Sequence, residues 1–151
     1  MGADASRDTP VLPTVHGLLV CRNAEAGPGG QVDLREVLEI VALDAIPGDA
    51  GPLAFVAFVR GLPPGPARLA FVVRAAGAPT QVLARLPFSM EVPAGLADRQ
   101  LAVQVRLPTI TVKRGGWFEV ALEWDGRTLA TNRFAIGARA NVPPKAAASA
   151  E

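Results

Sequence analysis

At 151 residues and 15.7 kDa the chain has room for one domain and not for two of ordinary size. Half of its residues are apolar, so a core can be buried without disulfides, and one Cys with one His excludes disulfide frameworks, zinc fingers and most metal sites. Fifteen Lys and Arg against fourteen Asp and Glu give no pull toward nucleic acid or anionic lipid.

Mean hydropathy is +0.27, yet no stretch reaches the roughly 18 uninterrupted apolar residues of a membrane helix. Arg60, Arg74 and Pro93 break the longest candidates. Thirteen of the basic residues are Arg, Ala is abundant and Tyr is absent, a usage that favours G/C-rich codons and points to a high-GC bacterial genome. The lone thiol fits a reducing cytoplasm, the expected compartment.

Fifteen Gly and fourteen Pro recur so regularly that few windows could hold a helix of ordinary length. Residues 1–13 read as a flexible N-terminal segment without the basic and apolar stretches of a secretory signal. Gly2 and Ser6 fit the M-G-x-x-x-[ST] acylation pattern, but the pattern is short and Asp4 and Asp8 surround it. A first strand is predicted at 15–22, followed by a turn at 27–30 (GPGG).

The segment 31–46 supports two readings. Leu34, Val37, Leu38, Val41 and Ala42 fit a helical stripe, with Asp33 and Glu36 resembling a capping box. As a strand it is apolar on both sides, as a central strand allows. Its surroundings of short strands and turns favour the strand.

Strands follow at 53–60 and 68–75, then a weaker pair at 80–85 and 86–92. In 100–107, Leu101, Val103, Val105 and Leu107 share one face and Gln100, Gln104 and Arg106 the other. In 117–124, Phe118, Val120, Leu122 and Trp124 point one way. Asp125-Gly126 then supplies positive φ for a type I′ hairpin. The return strand, 127–136, slips phase between Leu129 and Phe134, which predicts a β-bulge. The expected fold is all-β: an antiparallel two-sheet, Ig-like sandwich of seven or eight strands over 14–137, with 138–151 as a flexible tail. A true immunoglobulin domain is disfavoured, since there is neither a Cys pair nor a tyrosine corner.

The run LLVCRNAEAGPGGQVDLREVLEIVALDAIPG (18–48) resembles the opening of a group of small uncharacterised bacterial domains: an apolar strand ending near a Cys, a glycine turn, a second strand, and a stretch closing at a Pro. The closing GWFEVALEWDGRTLATNRFAIG (116–137) is similar to their last hairpin. The resemblance covers roughly 15–137 and implies a β-sandwich. It implies no activity, so no functional residue follows from it.

Chemistry-bearing residues are sparse. His16 as a general base would need a nucleophile and an orienting carboxylate. Cys21, five positions along the same strand, would lie about 16 Å away on the opposite side. Ser89 remains as a cross-strand partner that nothing in the sequence demands. Cys21 itself, between Val20 and Arg22, reads as a buried inert thiol. The GPGG turn lacks the Lys-Ser/Thr and helix of a phosphate loop. Asp33, Glu36 and Glu39 lack the spacing of a calcium loop and read as solvated charges. Trp117 faces away from the Phe118–Trp124 row and offers a partly exposed ring, beside a small basic turn at Lys113 and Arg114. No catalytic, cofactor-binding or metal-binding residue is expected.

The sharper signal is apolar excess. Strand 53–60 is apolar on both faces, and 68–75, its expected neighbour, nearly so. Val56, Phe58, Ala70 and Val72 would then form an outward patch rimmed by Arg60, Arg68 and Arg74, a partner-binding surface. The alternative is internal cover by Val11 and Leu12, by a helix at 34–45, or by the tail. The function read from these residues is a non-catalytic protein-interaction or assembly module, taking a protein partner or a second copy, with no nucleic acid and no membrane. The alternative is a small-ligand or glycan-binding sandwich using Trp117 and the loops.

Overall fold

The computed structural model describes residues 12–27, 31–95 and 99–139, without the side chains of 79 and 80. The expected flexible ends, 1–13 and 138–151, fall almost entirely outside these residues, as does Pro28–Gly30 of the glycine turn. The fold is an all-β sandwich. One sheet holds β1 (Thr14–Ala26), β2 (Val32–Val37), β5 (Leu53–Arg60) and β8 (Gln100–Leu107) in the order β2-β1-β5-β8. The facing sheet holds β3 (Ile40–Leu43), β6 (Gly65–Ala75), β7 (Ala78–Val92), β10 (Gly116–Trp124) and β11 (Arg127–Ala138) in the order β3-β11-β10-β6-β7. A short pair, β4 (Gly48–Ala50) with β9 (Ile110–Val112), completes the described strands.

Alternation places one apolar row of each strand between the sheets. Leu53, Phe55, Ala57 and Val59 of β5 meet Leu69, Phe71 and Val73 of β6, Val120 and Leu122 of β10, and Phe134 and Ile136 of β11. Five phenylalanines cross this core as a continuous ladder. Ring centroids are 6.0 Å apart for Phe118–Phe134, 6.3 Å for Phe134–Phe55, 6.0 Å for Phe55–Phe71 and 5.7 Å for Phe71–Phe88. Phe55 is the rung supplied by the first sheet, so it joins the two layers.

The hairpin of β10 and β11 has the expected geometry: Asp125 and Gly126 carry φ of 52° and 82°. Register shifts opposite Leu122 and Glu123, leaving Leu129 as the extra residue of the bulge. Residues 31–46 are strand rather than helix, but not one central strand. They form β2 at the edge of the first sheet and β3 at the edge of the second. Between them the Leu38 N–H donates to Val20 O at 2.7 Å, and Glu39 O accepts from the Ala135 N–H at 2.9 Å. The span therefore steps from sheet to sheet, and its two-sided apolar character serves two cores. The expected pair at 80–85 and 86–92 is a single strand, since an edge tolerates Pro87. Strands β4 and β9, three residues each, are too short to show a period.

The larger correction concerns β5 and β6. They are not neighbours in one sheet: β5 pairs with β1 and β8, and β6 with β10 and β7. The connection through residues 61–64 crosses from one layer to the other. The outward residues of the two strands consequently lie on opposite surfaces of the molecule.

Candidate functional site

The six residues expected to form one partner patch are thus divided, and three are covered by the chain itself. Val56 is fully buried on the outer face of β5, in a cluster with Cys21, Ala24 and Ala54 against Val32, Leu34 and Phe58. Beyond Cys21, β1 leaves β5 and pairs with β2, and this arm packs over the outer face. Arg22 Nη1 donates to Pro52 O at 3.4 Å, and Arg106 reaches across to Asn23 Oδ1. Phe58 remains half-buried, lying over Gly17, where a Cβ would come within 3.3 Å of its ring. Arg60 is exposed.

On the opposite surface Ala70 is buried and Val72 completely so. The cover there is an ion-paired lid. Arg74 Nη2 lies 3.1 Å from Glu123 Oε2, and Arg85 Nη1 lies 2.9 Å from Glu123 Oε1. In register, Val72 sits opposite Arg85 and Ala121, while Glu123 sits opposite Ala70. To reach Glu123, the Arg74 chain must run back over Val72, so the methylene stems shelter what the heads leave apolar. The apolar excess is real, and the molecule spends it internally.

His16 is the bulged residue between Val15 and Gly17 on β1 and is exposed. Ser89 lies opposite Arg68 on the outward row of β7, in the other sheet. The structure does not bring these two together as neighbours on one sheet. Asp33 and Glu36 make loose ion pairs at 3.8 Å with Arg35 and 3.7 Å with Arg22. Among the described residues no group of three His, Cys, Asp or Glu could hold a metal, and no helix is long and apolar enough to cross a membrane.

Cys21 is fully buried, its Sγ–H directed at Ala54 O at 3.6 Å. Burial pushes its thiol above the ordinary value, outweighing the hydrogen bond from the Asn23 backbone. An unfolded chain ionises this thiol first. The stabilisation is therefore full below the ordinary thiol range and fades as pH rises through it toward the folded value. The folded protein is expected to react with an aromatic disulfide reagent no faster than it unfolds; complete labelling in the dead time without denaturant would contradict this burial.

An open surface among the described residues lies at one end of the sandwich. Trp117, at the start of β10, is 58% exposed, and Val82 of β7 is 46% exposed. Both line a cleft of about 720 Å³ with Gln81, Lys113 and Arg114 on its rim and Phe118 in its floor. Local sequence builds this cleft. A register shift leaves Leu83 unmatched beside Val82, and Gly77 (φ 83°) turns the tip between Ala75 and Ala78, where small side chains leave space. Gly115 lets the 113–116 loop press on β11: a Cβ there would stand 3.0 Å from Ile136 O. The Trp117 carbonyl accepts the Ala76 N–H at 2.9 Å, which fixes the indole's backbone.

No family model and no curated protein matches the sequence. The chain is similar to part of the Pseudomonas fluorescens alkylpurine DNA glycosylase AlkC, solved bound to DNA containing an abasic site analogue. That match has 12% identity and a TM-score of 0.44, covering 90% of this chain and 34% of that one. It is also similar to part of a β-D-glucoside glucohydrolase from Trichoderma reesei, again at 12% identity, with a TM-score of 0.42 and coverage of 90% and 22%. This chain spans about a third and a fifth of those proteins, and nothing of their substrates is carried to it.

The cleft lining contains no carboxylate and no imidazole. The Thr111 hydroxyl is engaged with Asp49 Oδ1 at 3.0 Å. What remains is an apolar platform beside two cations that have no ion pair among the described residues, an arrangement suited to holding a ligand. A second cleft, lined by Arg22, Arg35 and Arg106, is less open to a ligand because each guanidinium already meets a group of the chain. Sequence reasoning picked out Trp117 and the basic turn separately. It missed Val82 and the cleft, since the bulge that presents Val82 leaves no mark in the alternation.

Proposed function

We propose that this chain is a non-catalytic protein-interaction module of the bacterial cytoplasm, holding an acidic partner segment with an apolar anchor in the cleft at Trp117. The observation that carries the proposal is the exposed indole beside exposed Val82, with Lys113 and Arg114 without an ion pair among the described residues and no carboxylate in the cleft lining. Trp and Arg dominate binding energy at interfaces because a large ring buries much apolar area and a guanidinium fork makes several charge-assisted hydrogen bonds. Two cations favour a carboxylate-bearing segment through steering and register. The compartment rests on the buried free thiol and the residue usage.

Panning a random peptide library against the protein tests this reading. Enriched peptides are expected to pair an aromatic or aliphatic residue with Asp or Glu. Trp117→Ala is expected to weaken them at least about tenfold, and Lys113→Gln/Arg114→Gln to remove the salt dependence. Peptides that bind independently of Trp117, or that carry net positive charge, overturn it. The exposed ring also favours a second reading, a glycan platform. Tryptophan fluorescence titrated across a glycan panel separates the two, and a flat response ends the second.

A further inference from the structure

We propose that two copies of this chain join edge to edge through β8, extending the four-stranded sheet across a two-fold axis. Sheet edges are templates for strand addition unless they are guarded by proline, charge, a bulge or shortness. Among the described residues, three of the four edges of the two facing sheets carry such guards. β2 bears Asp33, Arg35 and Glu36, the last at φ 54°; β3 has four residues; β7 has Pro87, Arg85 and shifted register. β8 has none. Its eight residues lack Pro and Gly, and its register with β5 runs unbroken from Leu107 opposite Leu53 to Gln100 opposite Arg60. No strand of the described residues pairs with its far side. Its single charged residue, Arg106, is drawn away across the sheet to Asn23 Oδ1.

The flank beside this edge is also the open one. At the other flank, Asn132 Nδ2 donates to Leu18 O at 2.8 Å and ties β11 to β1. At the β7 and β8 side, Leu86, Phe88, Met90, Leu101 and Val105 point inward and stay only half-buried. An added strand would cover them.

The occupant follows from charge and alternation. Arg106 is the one charge on this strand and it is turned toward Asn23 Oδ1, so the edge presents little charge of its own and a largely neutral alternating strand fits it. β8 is itself such a strand. Antiparallel partners must share a face, and a two-fold axis at Val103 achieves this. Leu101 then faces Val105 of the second copy, Ala102 faces Gln104, and Gln100 faces Arg106. Apolar meets apolar, no like charges meet, and a net charge of +1 opposes association little.

Sedimentation equilibrium at micromolar concentrations is expected to give twice the 15.7 kDa chain mass. Ala102 and Gln104 point outward and are half-exposed, so the fold accepts charges there. Ala102→Lys/Gln104→Lys sets like charges across the axis and is expected to weaken the dimer about tenfold, while Ala102→Lys/Gln104→Glu restores it. Unchanged far-ultraviolet circular dichroism of both variants excludes misfolding as the cause. A monomer throughout, including one that instead takes up a foreign strand, overturns the proposal. So does a dimer that dissociates alike in the Lys/Lys and Lys/Glu variants.

Discussion

Glu123→Ala is expected to lower the free energy of unfolding by about 3 kcal/mol, an unusual loss for a residue on the outward row of a sheet. The Glu123 side chain is 11% exposed and that of Arg74 is 18% exposed. Arg74 Nε is already buried without a hydrogen-bond partner among the described residues, so removing the carboxylate strands the whole guanidinium over Val72. Arg85 is half exposed and can turn to water, so Arg85→Ala is expected to cost less than about 1 kcal/mol. Urea denaturation of both variants checks the ordering. Equal losses would show that the carboxylate does not govern the lid.

Phe55→Ala is expected to cost about 4 kcal/mol, the upper range for an aromatic truncated in a close-packed core. The ring is fully buried and touches both Phe71 and Phe134, so its removal opens a void between the sheets that neither neighbour can fill from its own strand. Against a typical stability of about 5–15 kcal/mol, that is a large share. Phe58, three residues on and facing outward, is half exposed and is expected to lose only about 1 kcal/mol on truncation. A loss below about 1.5 kcal/mol at Phe55 would mean that the two layers do not meet through this rung.

Strands with clean alternation were legible because one face was polar: Glu119 and Glu123 marked the outward row of β10, as Gln100, Gln104 and Arg106 did for β8. Where both faces are apolar, periodicity says that a strand exists and not which sheet it joins. β5 and β6 are of this kind: they were expected as neighbours in one sheet, and the connection at 61–64 crosses to the other. Their outer rows stay dry for different reasons. Val56 lies under the arm of β1 and β2, whereas Val72 lies under side chains contributed by three strands. Arg74, Arg85 and Glu123 are 38 and 49 residues apart in the chain, so no window of sequence shows them as a unit. The candidate site was half legible: Trp117 followed from alternation, and its apolar neighbour depended on a bulge.

The last hairpin occupies the middle of its sheet. β11 and β10 stand between β3 on one side and β6 and β7 on the other. During synthesis, then, two earlier strands, β3 and β6, leave the ribosome with a hydrogen-bonding side empty, and closure waits on residues near 138. Until that moment β3 and β6 have nothing to bind on their inner edges, and the nascent chain is at its most adhesive. A cell making this protein would need to shield β3 and β6 from their emergence until β10 and β11 have followed.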